Sequence, residues 1–185
     1  TSQALNIKTR DYNIERIDGL PPSTVTMSDA DYERWKVDTA AIRKARSHES
    51  ALGAWKGSFI LPAEGRLSGF YGSQRILNGK PRTPHYGLDV ANAEGTAIKA
   101  PAAGRITLAN LDFLLQGGIV IIDHGAGITS SFYHMSKIDV TEGDLVKQGQ
   151  KIGEIGMSGR ATGPHMDWRV YWRLVALDPE LLIKK

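Results

Sequence analysis

The chain contains no cysteine. That excludes disulfide staples and cysteine-based zinc sites, and leaves the compartment open. No run comes near the ~18 consecutive apolar residues that a membrane-spanning helix needs. An excess of charge is missing too: 23 Lys and Arg against 20 Asp and Glu give a formal net charge of +3. So even a balance is too weak to indicate nucleic acid, although it would suit an anionic polymer. The first residue is Thr1, with no methionine or signal-like segment, which fits a processed or truncated exported protein. What the chain does have is length for a proper core, 185 residues, and 20 glycines for tight turns.

The composition changes near residues 48–57. Before it lies an N-terminal arm, residues 1–54: an extended stretch, a turn signal at Asp18-Gly19-Leu20-Pro21-Pro22, then a helix over about 28–46. Ser28 and Asp31 have capping-box spacing at its start. Tyr32, Trp35 and Ile42 form its apolar side, and Arg43, Lys44 and Arg46 are expected as a solvated C-terminal end. Residues 55–185 read as mainly β. Short apolar runs recur at 59–61, 105–108, 119–122, 128–133, 151–155 and 168–172, separated by turn signals such as Gly117-Gly118 and Gly125-Ala126-Gly127. The expected architecture is an antiparallel β-sheet carrying a site in a groove. Gly65 to Pro84 reads as one long loop ahead of the first motif.

Two distant segments carry the chemistry: Pro84-His85-Tyr86-Gly87-Leu88-Asp89 and Gly163-Pro164-His165-Met166-Asp167-Trp168. Each places a histidine close to a carboxylate, and two converging segments of this kind can build a divalent metal site. On a regular strand, residues four apart lie roughly 13 Å apart. His85 and Asp89 can therefore share an ion only if the chain bends between them, and Gly87 permits that. His165 and Asp167 need no bend, because residues i and i+2 of a strand share a face. A third histidine, His134, falls by alternation with Ile128, Ser130 and Phe132, the place of a core histidine. His48 in the polar linker and His124, at the turn after the 119–123 run, have no assigned role.

Taken together, these segments resemble the lysostaphin/LytM-type zinc metallo-endopeptidases, which cut peptide cross-bridges of bacterial peptidoglycan. The resemblance spans roughly residues 55–180. His85-Tyr86-Gly87-Leu88-Asp89 resembles the family's His-x-x-x-Asp, and Ser131-Phe132-Tyr133-His134-Met135 its Tyr-x-His-Leu-type strand. Thr162-Gly163-Pro164-His165-Met166-Asp167-Trp168 is similar to its Thr-Gly-Pro-His-x-His-Trp strand. The resemblance implies one Zn2+ per chain, held by His85, Asp89 and Asp167, with His134 and His165 assisting catalysis. It also implies that the 65–84 loop borders the substrate groove, where Arg75 could meet a peptide carboxylate. The implied substrates are peptidoglycan stem peptides and cross-links, in the periplasm or cell envelope of a bacterium. A regulatory protein partner is compatible with the resemblance.

Asp167 departs from the pattern, where the family has histidine. Aspartate binds zinc, but two carboxylates and a neutral imidazole cancel the ion's charge. A formally neutral site should polarise water less than a two-histidine, one-aspartate site. Two other function classes fit parts of the chain: a catalytically silent relative that binds cell wall or activates another hydrolase, and a lipoyl-like carrier suggested by residues 142–150. The second lacks a carrier lysine in a suitable hairpin.

Overall fold

The computed structural model describes residues 4, 9–19 and 27–184. In chain order the elements are β1 (Ile14–Ile17), helix α1 (Asp29–Arg46), β2 (Arg66–Gly69), β3 (Gln74–Leu77), β4 (Lys80–Pro81), β5 (Leu88–Ala91), β6 (Ala97–Lys99) and β7 (Gly104–Phe113). They continue with β8 (Gly117–Gly125), β9 (Ile128–Ile138), β10 (Leu145–Val146), β11 (Lys151–Ile155), β12 (His165–Trp172) and β13 (Val175–Leu177). The main sheet runs β10-β7-β8-β9-β12-β5-β2, with every pairing antiparallel. β11 pairs with β6 and β9, and β13 extends from β12.

The β-branched run in β8 lies at the middle of this sheet and is buried throughout. Val120 and Ile122 pack on one face with Phe59, Leu88, Ile106, Phe132, Met166 and Trp168. Ile119 and Ile121 point the other way, onto Ile42 and Ala45 of helix α1 together with Leu108, Phe113 and Tyr133. A strand buried on both faces shows no polar alternation, which is why the run is continuously apolar. Helix α1 starts where the capping signal places it: the Ser28 hydroxyl accepts from the Asp31 N–H at 3.1 Å.

The expectations for residues 65–84 and for the Gly117-Gly118 turn need correction. The 65–84 segment holds β2 and a β3–β4 hairpin whose turn residues, Asn78 and Gly79, both have positive φ. Strand β1 joins β3 in parallel, making a small three-stranded sheet beside the main one. The turn before β8 is Leu114–Gln116, with Gly117 and Gly118 already in the strand. Residues 20–22 of the expected Asp18–Pro22 turn lie outside the described residues; Asp18 and Gly19 precede them at the end of β1.

His124 lies within β8, fully buried, rather than in a turn. Its Nδ1 sits 2.7 Å from the Ala103 carbonyl and must donate, so Nε2 accepts from the Ser130 hydroxyl at 2.9 Å. The same hydroxyl accepts from Trp168 Nε1 at 3.2 Å, which closes the network. Burial pushes the His124 pKa down to about 4. An unfolded chain would take up a proton there below about pH 6.5, the ordinary imidazole value, while the native state would not. Stability should therefore fall as pH drops from about 6.5 to about 4, by an amount on the order of 3 kcal/mol. Urea unfolding across that window should show a shallower loss for His124→Asn than for the parent, and equal slopes would remove His124 from the account.

Candidate active site

Asp89 of β5 and Asp167 of β12 are direct cross-strand neighbours, and Asp167 faces Tyr133 of β9 on its other side. Cross-strand partners share a face, so both carboxylates project on the side of the sheet against which helix α1 packs. Residues 82–86 precede β5 without regular structure, and a bend falls at Gly87. Two backbone bonds pin His85 there: its N–H donates to the Ser73 carbonyl at 2.7 Å, and its carbonyl accepts from Gly72 N–H at 2.8 Å. The bend brings His85 Nε2 to 3.1 Å from Asp89 Oδ1. Close packing explains the glycines on either side: a Cβ on Gly87 would lie 2.2 Å from Asp167 Oδ1, and one on Gly69 would lie 2.1 Å from Asp89 Oδ2.

Ligand atoms of His85, Asp89 and Asp167 all lie within 4.8 Å of one another. Zinc ligands at ~2.1 Å from one ion stand about 3.4 Å apart in a tetrahedron, so a small side-chain closure brings this set to size. His85 Nε2 and Asp89 Oδ1 are buried, and neither has an aligned hydrogen-bond partner. An imidazole nitrogen and two carboxylates suit zinc or a comparable dication, which would replace the His85–Asp89 contact with two metal bonds. The residues therefore fit a divalent metal. Burial opposes a charge on His85, but Asp89 and Asp167 prevail and hold its pKa above the ordinary value.

His134 reaches this face by breaking the strand's alternation. Its φ is +65°, the left-handed region, and its N–H donates to the Gln116 carbonyl at 2.8 Å. The twist takes it away from Phe132 and the core, where alternation would place it, and sets its ring centre 4.7 Å from that of His165, the two rings tilted by 45°. His134 Nδ1 donates to Ser158 O and His165 Nδ1 to Gly163 O, both at 2.8 Å. Nε2 is then the basic nitrogen of each ring. Burial lowers the pKa of His134, and the neighbouring His165 acts in the same direction.

Arg75 makes its ion pair outside this cluster. It is exposed on β3 and pairs with Glu15 of β1, Nε to Oε2 at 2.8 Å. His48 pairs with the fully buried Asp123 at 2.9 Å, fastening the linker to β8.

The model of peptidase family M23 matches residues 83–179, just over half of the chain and all five histidine and aspartate positions of the site. The chain belongs to this family. Peptidoglycan DD-endopeptidase ShyA of Vibrio cholerae is 36% identical over 109 residues, covering 58% of this chain and 25% of that protein. Murein hydrolase activator EnvC of Escherichia coli is 32% identical over 143 residues, covering 77% and 33%. Among solved structures, a zinc-containing peptidase from Vibrio cholerae superposes with a TM-score of 0.62 at 29% identity, covering 66% of this chain and 39% of that one. This M23 chain thus spans a third or less of the length of both curated relatives.

Sequence reasoning missed two arginines. Arg169 grips the Asp167 carboxylate from two residues along β12, with Nε at 3.1 and 3.0 Å from its oxygens and the terminal nitrogen at 2.7 Å. Burial acts against the Asp167 carboxylate, but Arg169 outweighs it and holds the pKa below the usual range. Arg46, expected as part of a solvated helix end, is half-buried: it donates to the Tyr133 hydroxyl and to Ser131 Oγ and lies 3.7 Å from the Tyr171 ring centre. The i, i+2 spacing of Asp167 and Arg169 was the available signal, since strand residues two apart face the same way.

Proposed function

We propose that this chain is a zinc-dependent endopeptidase acting on peptide cross-links of bacterial peptidoglycan in the cell envelope, with His85, Asp89 and Asp167 holding the ion and His134 and His165 assisting. The observation that carries this reading is the convergence of ligand atoms from His85, Asp89 and Asp167 within 4.8 Å of one another, beside two histidines. When bound, zinc supplies Lewis acidity at a peptide carbonyl. The remaining chemistry belongs to the side chains. His134, kept neutral by burial, can accept a proton at Nε2, and its Ser158 bond stabilises the ring once charged. The adjacent His165, oriented by Gly163, can pass a proton to the departing amine or donate to the carbonyl oxygen. Similarity to ShyA, named for peptidoglycan DD-endopeptidase activity, and to the zinc-containing peptidase supports the substrate class and the metal.

One observation favours a second reading, a silent domain that activates another hydrolase: the Asp167 carboxylate is already engaged by Arg169. Similarity to EnvC, named as an activator, points the same way. Metal analysis of the purified chain, followed by digestion of isolated peptidoglycan with and without chelator, separates the two. The enzyme reading expects ~1 zinc per chain and chelator-sensitive release of peptide fragments identified by mass. A metal-poor chain that releases nothing, alongside a working control peptidase, would favour the activator.

A further inference from the structure

Arg169 occupies a position that the assignment of ligands leaves unexplained. It is packed on both sides. Its guanidinium lies 4.9 Å from the centre of the Tyr133 ring, and its fork meets both oxygens of Asp167. Tyr133 is in turn fastened by Arg46 from the last turn of helix α1. The helix therefore holds Tyr133, Tyr133 supports Arg169, and Arg169 sets the direction of Asp167. A carboxylate presented in this way cannot give a metal ion its full charge, because the guanidinium shares it.

Charge arithmetic shows the consequence. Neutral His85, two carboxylates and one guanidinium sum to −1, so a dication leaves the loaded centre at +1. Without Arg169 the sum would be zero. We propose that Arg169 is a charge-setting residue of the metal centre: it weakens the hold of Asp167 on the ion and leaves the loaded site with a formal positive charge. In this way an aspartate ligand acts with the charge of a neutral one. The inference rests on the reading that His85, Asp89 and Asp167 bind the metal, and it replaces the neutral site expected from the ligand set alone.

The test is a zinc titration of the metal-free protein against a competing chelator, for the parent, Arg169→Gln and Arg169→Lys. Glutamine keeps a donor toward Asp167 but removes the charge, so zinc should bind roughly tenfold or more tightly. Lysine keeps the charge and loses the fork, so its affinity should stay within about threefold of the parent. A residue that merely supports the fold would weaken zinc binding when replaced, never strengthen it. Melting curves of the zinc-free proteins check that the variants fold, and Arg169→Met carries the same comparison if glutamine does not. If the parent binds zinc and the uncharged variant binds no more tightly, the charge-setting role is wrong and the ligand assignment stands. Equal tightening by lysine would also overturn it. If neither parent nor uncharged variant binds zinc, both the inference and the metal-site reading fall.

Discussion

Alanine at His85 or Asp89 should abolish tight zinc binding and peptidoglycan cleavage while leaving the fold in place. Each residue supplies one of the three ligand atoms that converge within 4.8 Å, so its loss leaves the ion with two. The fold should survive because the main core, built on Leu88, Val120, Phe132, Met166 and Trp168, faces away from the site. Asp167→Ala should be more damaging. It deletes a ligand and also leaves Arg169 without the carboxylate that balances it, and such an uncompensated buried charge costs about 3–5 kcal/mol. Metal content and thermal melting of the three variants check the ordering. Alanine variants that hold zinc as tightly as the parent would sink the site assignment.

Removing either assisting histidine should lower the rate by roughly 100- to 10,000-fold, the usual range for proton-transfer groups, with zinc still bound. His134 is best replaced by asparagine, because its φ of +65° strains alanine but suits asparagine. His165→Ala leaves backbone geometry untouched, since His165 is an ordinary residue of β12. The comparison of metal content with rate is decisive here. If the His165 variant loses its zinc, then His165 rather than Asp167 is the ligand, and the two roles must be exchanged.

The parts of this molecule that were legible in the sequence share one property: they depend on neighbours close along the chain. The Ser28 cap places the helix start, the apolar runs place β8, β9, β11 and β12, and Gly87 marks the bend between His85 and Asp89. The His-x-x-x-Asp and Gly-Pro-His-x-Asp frames were enough to reach the family. Strand alternation, however, misplaced His134, because one left-handed residue turns a side chain that the period of two assigns to the core. Periodicity cannot register a single reversed dihedral angle.

Long-range pairing decided the rest. No local signal couples Glu15 to Arg75, which lie 60 residues apart and pair at 2.8 Å. None links His48 to Asp123, which lie 75 residues apart. The arginines show the contrast best. By spacing alone, Arg46 belonged to a solvated helix end, whereas the packing of α1 on β7 and β8 sets it against Tyr133 and Tyr171. By itself, then, the sequence determined the family, the β-rich architecture and which residues could meet a metal. The tertiary structure alone decided how much charge surrounds the candidate ligand cluster, because Coulomb energy depends on distance through space, and only folding sets the distance from Asp167 to each cation around it.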